Sequence, residues 1–324
     1  MKQFLKSAVV AAGITMIGGA AIAEEYTMNA VTLSPRQADI SRGFAMFIDE
    51  INEEFDGEFQ INWRGGPEVM PPFGQAEAVR NGAMDMTFTS PSYYSGLVPA
   101  SSTMNLSFKD YNEIRTTGYY ERMTELHAER NLVFLGEVPA TDLAFHLFLN
   151  TPIETLADIQ GLRIRVFPTL LPLVNALGAE PLVLPMGEIY TAMERGAIDG
   201  FMRGTVGWAA QFEGVVTHVV YPGVYRAGFP ILVNQDAWNE LPADLQTRII
   251  AFVRDDLAPR IDEIWATDVA QGVVEMEAAG FEVIQLSDED SAQLREIALD
   301  SAWSVIATEA GEDVAAELRG MLVD

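Results

Sequence analysis

Residues 161–185 read GLRIRVFPTLLPLVNALGAEPLVLP, and this stretch contains the pattern of a strand, a helix and a second strand in one short run. Apolar residues alternate with Arg163 and Arg165 at its start, which predicts a strand. Pro168 ends that strand, TLLPLVNALG has a helical pattern that stops at Gly178, and AEPLVLP is the next strand. Such a unit is typical of an α/β sheet with parallel strands.

The first strand of this unit carries two fixed positive charges. Because residues two apart in a strand share a face, Arg163 and Arg165 point the same way, about 6.6 Å apart. Arg165 is nearer the carboxyl end, where ligands bind in open α/β sheets. Its planar guanidinium matches a carboxylate with two parallel hydrogen bonds. The alternative is an internal ion pair with one of the many acidic residues.

Two further arginines occur in apolar strand patterns. Arg203 ends the strand predicted in AIDGFMRG, so its position resembles that of Arg165. Tyr225 and Arg226 lie within THVVYPGVYRAGFPILVN, which we predict to form two strands around Pro222-Gly223. Either residue is a candidate to line a cleft, although an ion pair between Arg226 and a neighbouring acid fits the pattern equally well. We expect Asp199 to cap a turn or to hydrogen-bond locally.

Other candidates for a ligand site come from a loop and a strand end. Glu68 lies in the Gly/Pro-rich loop GGPEVMPPFG, where it either faces a cleft or is a surface acid. Tyr93 and Tyr94 follow the strand that ends in TFTSP. Tyrosines at such a place can stack on a ligand or hydrogen-bond to it, and packing in the core is their alternative role.

The same alternation of strand and helix patterns extends along most of the chain. YTMNAVTL and EFQINWRGG are predicted strands, and a second α/β unit begins near TDLAFHLFLN. Residues 235–280 are helical in pattern over a long distance. A length of 324 residues favours two lobes over one. We therefore predict two α/β lobes joined by crossing strands, with a ligand-binding cleft between them.

The N-terminus has the features of a secretion signal. Lys2 and Lys6 precede the apolar run SAVVAAGITMIGGAAIA, which ends in an A-x-A-like cleavage site. The alternative is a membrane anchor, but the run is short and no stop-transfer charges follow it. We predict a signal peptide over residues 1–23, cleaved near Ala23, and an exported mature protein without direct membrane insertion.

The overall charge argues against two classes of partner. The chain has 47 acidic and 20 basic residues, and it has no cysteine. A surface this acidic repels nucleic acids and anionic membranes, so an anionic ligand would have to be attracted by local arginines. Without cysteine there are no disulfides, thiolate metal sites or thiol nucleophiles.

No motif in the chain indicates an enzyme or a cofactor. His127, His146 and His218 do not have the spacing of a zinc site, and we predict no metal. The chain contains no G-x-S-x-G, no P-loop and no G-x-G-x-x-G. We therefore predict neither catalytic residues nor a bound cofactor.

Several segments in this order resemble a known family. They are the N-terminal signal, GGPEVMPPFGQAEAVRNGAMDM, TPIETLADIQGLRIRV, LGAEPLVLPMGEIYTAMERGAIDGFMRG and PGVYRAGFPILVNQDAWNELP. The chain resembles the DctP-type solute-binding components of TRAP transporters over nearly all of the mature protein, most specifically over residues 161–204. The resemblance implies a two-lobed periplasmic-binding-protein-like fold with hinge strands and a long helix that spans both lobes. We assign residues 24–143 and 229–271 to lobe I, and residues 144–228 and 272–324 to lobe II.

The resemblance also implies roles for individual residues. The arginine that pairs with the ligand carboxylate falls on Arg165, and Arg163 falls where the family often has a lysine that is not a ligand. Arg203 stands where the family commonly has an asparagine. Arginine at positions 203 and 226 argues against the cation site of members that bind 2-keto acids. Phe145 stands where sialic-acid binders have a further arginine.

We therefore expect a periplasmic receptor that binds a small organic acid and delivers it to a TRAP membrane permease. Arg165 would bind the carboxylate, and Arg203 or Arg226 would strengthen that contact or bind a second anionic group. An apolar wall is predicted from Phe145, Tyr93, Tyr94, Trp208 and Tyr225. These residues fit a dicarboxylate, a sulfonated acid or an aromatic monocarboxylate. A monomer is the default oligomeric state. The alternatives are an organic-acid binding protein that serves a sensor kinase or an ABC importer, and an exported α/β enzyme.

Overall fold

The computed structural model describes residues 25–107 and 109–323, so the predicted signal peptide lies outside the described residues. The strands belong to two sheets. They are β1 (Tyr26–Thr32), β2 (Phe59–Gly65), β3 (Met86–Phe88), β4 (Leu132–Ala140), β5 (Phe145–Leu149), β6 (Arg163–Val166), β7 (Glu180–Val183), β8 (Gly200–Arg203), β9 (His218–Val224), β10 (Ala227–Asn234) and β11 (Glu282–Gln285).

Helices connect most of these strands. They are α1 (Arg42–Glu54), α2 (Gln75–Arg80), α3 (Tyr111–Ile114), α4 (Tyr119–Ala128), α5 (Leu171–Ala176), α6 (Ile189–Glu194), α7 (Gln235–Asn239), α8 (Ala243–Ala251), α9 (Ala258–Ala278), α10 (Asp288–Ala310) and α11 (Glu312–Leu322). A π-helical segment, Phe252–Leu257, joins α8 directly to α9. Among the described residues, no helix is both long enough and apolar enough to cross a membrane.

The first lobe is built on a five-stranded sheet with the order β2-β1-β3-β10-β4. Its strands β1, β2 and β3 pair in parallel, as their helical connections predict. Strand β10 is antiparallel to both β3 and β4, so this sheet is mixed. The reason is connectivity, because β10 enters this sheet from the other lobe instead of through a helix that returns within the same lobe.

The second lobe is built on a six-stranded sheet with the order β11-β9-β5-β8-β6-β7. The opening stretch of sequence forms β6, α5 and β7, and β6 pairs in parallel with β7 and β8. Strand β5 is antiparallel to β8 and β9. The predicted strand break at Pro222-Gly223 is wrong: β9 continues to Val224, and the break falls at Tyr225 and Arg226, where Tyr225 has a φ of 59°.

The chain crosses between the two sheets from β4 to β5 and from β9 to β10. The long helix α9 contacts both lobes. Its residues Ile261 and Trp265 are buried in the hydrophobic core of the first lobe, and Met276 is buried in that of the second. Gly272 of α9 has no room for a Cβ, which would lie 2.6 Å from the carbonyl oxygen of Thr205. The two lobes and the spanning helix are therefore those that the sequence predicts.

The C-terminal helices lie at the junction of the lobes. Helix α10 packs against α5 and β9 of the second lobe, and also against a 3-10 helix of the first lobe, Pro99–Asn105. Helix α11 packs against α4 and the same 3-10 helix. Both helices also pack against each other and contact elements of the first lobe, and the assignment of residues 272–324 to lobe II stays a prediction.

Candidate functional site

A cavity of about 70 Å³ lies between the two lobes. The second lobe contributes the segments that follow β6, β7 and β8, which is where a sheet of this type places ligands. The first lobe and the crossing strands contribute the opposite walls. The residues that line the cavity include Ser90, Tyr93, Asn105, Phe145, Arg165 and Arg203.

Arg165 lies at this cavity with its side chain held by backbone carbonyls. Its Nε and Nη2 donate to the carbonyl oxygen of Leu184 at 2.9 and 2.6 Å, and Nη1 lies 3.4 Å from that of Met202. Only 2% of the residue is exposed, and burial lowers the pKa of Arg165. These bonds use one hydrogen on each nitrogen, and the Tyr93 side chain also hydrogen-bonds to Arg165. The carbonyls fix the guanidinium without neutralising its charge.

Arg203 is the second cation at the cavity. Its guanidinium carbon lies 5.0 Å from the centroid of the Trp208 ring, a cation–π geometry. Burial, followed by the nearby charge of Arg165, lowers the pKa of Arg203 to about 9. Among the described residues, neither Arg165 nor Arg203 has a carboxylate within ion-pair distance. The charge of Asp39 opposes this lowering of the Arg203 pKa from beyond ion-pair distance. Guanidinium groups that lack an ion-paired carboxylate are chemically suited to bind an anion.

Arg163 has a different environment from Arg165, although both project from β6. Its Nη2 lies 2.5 Å from Oδ1 of Asp199, and its Nε donates to Oδ2 of the same carboxylate. The backbone N–H of Arg163 also donates to Asp199. The internal ion pair that the sequence left open for this strand is therefore made by Arg163. Asp199 was expected to bond locally, but its partner lies 36 residues away in the chain, because β6 and β8 are neighbours in the sheet.

Tyr93 and Phe145 also line the cavity, as the sequence predicts. Tyr93 belongs to a 3-10 helix of the first lobe, Pro91–Tyr94, and interacts with Arg165 and the backbone of Met186 in the second lobe. Burial raises the pKa of Tyr93, and the charge of Arg165 opposes that shift. Phe145 packs on Phe167 with ring centroids 4.7 Å apart. These contacts place an aromatic wall beside the two arginines.

Three other predicted aromatic residues do not line the cavity. Tyr94 is buried in the core, where its hydroxyl lies 2.9 Å from Nε2 of His127. Trp208 packs in the second-lobe core, and its Nε1 donates to the carbonyl oxygen of Gly204 at 2.7 Å. Tyr225 is buried with its hydroxyl donating to the carbonyl of Ala298. Their hydroxyl and N–H groups are thus satisfied within the protein.

Arg226 makes a buried ion pair instead of lining the cavity. Its Nη2 lies 2.8 Å from Oε1 of Glu137, and Tyr120 donates to the same oxygen. Burial is the largest single effect and lowers the pKa of Arg226, but the charge and hydrogen bond of Glu137, together with Tyr120 and Tyr119, outweigh burial and raise that pKa. The sequence could not separate this internal pair from a ligand contact, since Glu137 lies in another strand 89 residues away.

Glu68 lies away from the cavity, in the surface loop that follows β2. It is exposed, and its Oε1 accepts a hydrogen bond of 2.8 Å from the backbone N–H of Gly66. That hydrogen bond lowers the pKa of Glu68. Glu68 is therefore a surface acid that stabilises its own Gly/Pro-rich loop, and it does not face the cavity.

The cavity includes residues that sequence reasoning missed. Phe167, Met186 and Val206 follow the carboxyl ends of β6, β7 and β8, so the general rule for such sheets would have identified them. Asn105 is different, because it ends a 3-10 helix with no periodic pattern to indicate its direction. Among the described residues, no group of three or more His, Asp or Glu side chains is placed to hold a metal ion.

Comparisons with known proteins agree with this architecture. The sequence profile of the DctP family, bacterial extracellular solute-binding protein family 7, matches residues 31–309. A monocarboxylate 2-oxoacid-binding periplasmic protein from Nostoc sp. is 26% identical over 229 residues, which is 65% of this chain and 61%, less than two thirds, of that protein. A C4-dicarboxylate-binding periplasmic protein from Rhodobacter capsulatus is 24% identical over 85% of this chain and 82% of that protein.

A solved structure shows the same fold. It is a TRAP periplasmic solute binding protein from Desulfovibrio salexigens with bound orotic acid, with a TM-score of 0.80 and 21% identity. The alignment covers 92% of this chain and 98% of that one. Since the family profile spans both lobes and the cavity between them, the chain belongs to the DctP family of bacterial extracellular solute-binding proteins.

Proposed function

We propose that this protein is the periplasmic receptor of a TRAP transporter and that it binds a small carboxylate through Arg165, with Arg203 as the second cation. The observation that carries the proposal is the pair of guanidinium groups at the cavity. Among the described residues no carboxylate lies within ion-pair distance of either group, although the charge of Asp39 acts on Arg203 from farther away. Holding two such charges out of water is costly unless an anion completes the site. A ligand carboxylate supplies that anion.

The proteins similar to this chain support a carboxylate as the ligand. The names of the two relatives specify a 2-oxo monocarboxylate and a C4-dicarboxylate, and the structural neighbour holds orotic acid. All three ligands contain a carboxylate, while the remainder of each molecule differs. The two arginines of this chain fit the shared group, and the rings of Phe145 and Phe167 provide an apolar wall for the remainder.

The position of the cavity between the lobes suggests how binding is transmitted. Arg165 and Arg203 belong to the second lobe, whereas Ser90 and Tyr93 belong to the first. A ligand that contacts both sets stabilises the closed arrangement more than the open one, and so shifts the equilibrium toward closure. The closed monomer, exported and without residues 1–23, would then deliver its ligand to the membrane permease.

The proposal is tested by calorimetric titration of protein lacking residues 1–23 with succinate, malonate, pyruvate and orotate. We expect at least one of these acids to bind, and Arg165→Ala to weaken that binding about a hundredfold or more, since it removes a buried charge-assisted contact. Arg163→Ala is the matched control, because Arg163 is on the same strand but pairs with Asp199. An acid that binds equally well to the Arg165→Ala variant would contradict the proposed site.

A further inference from the structure

Asn105 lines the cavity and has an unused hydrogen-bond acceptor. It is 2% exposed, and it is the one side-chain amide among the described residues that line the cavity. Its Oδ1 is buried and accepts no hydrogen bond from any described residue. A buried acceptor without a partner costs free energy, so a group that donates to it would be bound favourably.

The orientation of this amide is fixed by Arg226, in the two-residue segment between β9 and β10. Asn105 Nδ2 donates to the carbonyl oxygen of Arg226 at 2.9 Å, and the backbone N–H of Arg226 donates to the carbonyl of Asn105 at 3.1 Å. A carbonyl oxygen can only accept, so the nitrogen of the amide must face Arg226. The oxygen is therefore the atom left for a partner, and a ligand must bring a donor to satisfy it.

The protein layer behind this part of the cavity is polar. Gly228 lines the cavity, and a Cβ on it would collide with Oε2 of Glu137. That carboxylate oxygen is also buried without a hydrogen-bond partner among the described residues, as are Nε and Nη1 of Arg226. The wall near Gly228 is thus backed by polar groups, whereas Phe145 and Phe167 form an aromatic wall.

We infer that the ligand carries a hydrogen-bond donor, a hydroxyl or an N–H, in addition to its carboxylate, and that Asn105 Oδ1 accepts from this donor. The inference rests on the proposed function, since it takes the carboxylate to lie at Arg165 and Arg203. It narrows the substrate class to hydroxy acids and to acids with a ring or amide N–H. Asn105 is then a residue that determines specificity.

In this assignment each lobe binds a different part of the ligand. The carboxylate would lie on the second-lobe arginines, and the donor on Asn105, which ends a 3-10 helix of the first lobe. An acid without a donor would occupy the arginines but leave Oδ1 unpaired in the closed form. Such an acid would therefore bind more weakly.

The experiment compares acids that differ in a single donor. Malate is compared with succinate, 2-hydroxybutyrate with butyrate, and pyroglutamate with 5-oxotetrahydrofuran-2-carboxylate, which keeps the ring carbonyl and replaces only the N–H by oxygen. Each comparison is made by calorimetry on the wild-type protein lacking residues 1–23. In at least one pair we expect the acid with the donor to bind about tenfold to a hundredfold more tightly than the acid without it. The acid without the donor would leave the buried Asn105 Oδ1 unsatisfied. Equal affinity within every pair that binds would overturn the inference.

The variant Asn105→Ala then assigns the preference to this residue. This variant should bind the acid with the donor about tenfold more weakly than the wild type does. Its affinity for the matched acid without the donor should change by less than about threefold, so that the preference disappears. A preference that survives in Asn105→Ala would overturn the role of Asn105. If no acid bound, or if Arg165→Ala did not weaken binding, the proposed function itself would fail. That failure is distinguishable from equal affinities within the pairs and from a preference that survives in Asn105→Ala.

Discussion

Arg165 and Arg203 lie close enough that the charge of Arg165 contributes to the lowered pKa of Arg203. The sheet explains this proximity. Arg165 pairs with Phe201 in the parallel register of β6 and β8, and Arg203 is two residues farther along the same strand. The two side chains therefore leave the sheet on the same face and meet at the cavity. An unliganded receptor keeps two like charges together, and a bound anion removes their repulsion.

The first prediction is that Arg203→Met stabilises the unliganded protein and weakens binding. The substitution removes a partly desolvated charge and its repulsion with Arg165, but it also removes the cation–π contact with Trp208. We expect a net gain of about 1 kcal/mol in the free energy of unfolding, measured with urea. Affinity for a cognate acid should fall at least about tenfold. A loss of stability would show that Arg203 is held by the protein and not kept for a ligand.

The second prediction separates the neighbours Tyr93 and Tyr94. Tyr93 interacts across the cleft with Arg165, so Tyr93→Phe should weaken acid binding about threefold to tenfold and leave unfolding nearly unchanged. Tyr94 is bonded to His127 in the core, so Tyr94→Phe should lower the free energy of unfolding by about 1 kcal/mol and leave affinity unchanged. Calorimetry and urea unfolding of both variants measure these effects. If Tyr94→Phe weakened binding and Tyr93→Phe lowered the free energy of unfolding instead, Tyr93 would not be the tyrosine at the site.

The sequence predicted the two-lobed fold because the relevant signals are local. Strand and helix periods, and the proline and glycine breaks between them, are visible within short windows. The direction of β6 was also enough to separate Arg165, at the cavity, from Arg163, which pairs with Asp199. Strand direction is a property of the chain itself, so no knowledge of distant contacts was needed.

Side-chain directions outside regular strands could not be predicted in the same way. Tyr93 and Tyr94 are adjacent in a 3-10 helix, and only its packing decides which ring faces the cavity. Arg226 immediately precedes β10, and its partner Glu137 lies in the neighbouring strand β4, so the tertiary fold sets this contact. Asn105 was missed for the same reason, since its direction is fixed by two hydrogen bonds to Arg226.

The third prediction concerns the buried ion pair of Arg226 and Glu137. The side chains of this pair are 2% and 0% exposed, so Glu137→Gln leaves a buried cation without its counter-charge. We expect a loss of about 3 kcal/mol in the free energy of unfolding. Asp199→Asn is the control: it breaks the Arg163 pair, whose side chains are 43% and 26% exposed, and should cost less than about 1 kcal/mol. Similar losses in both variants would show that burial does not distinguish the pairs.

The fourth prediction concerns stability in mild acid. His127 is buried, its Nδ1 lies 2.6 Å from the carbonyl oxygen of Met123, and burial lowers its pKa from 6.5 to about 4. Below pH 6.5 the unfolded chain therefore takes up this proton before the folded protein does, and stability falls until about pH 4. The free energy of unfolding, measured with urea, is compared between the wild type and His127→Gln. The difference between the two proteins should change by up to about 1.4 kcal/mol per pH unit between pH 4 and pH 6.5 and be constant above that range. A difference that is constant from pH 4 to pH 8 would show that the folded protein accepts the proton as readily as the unfolded chain.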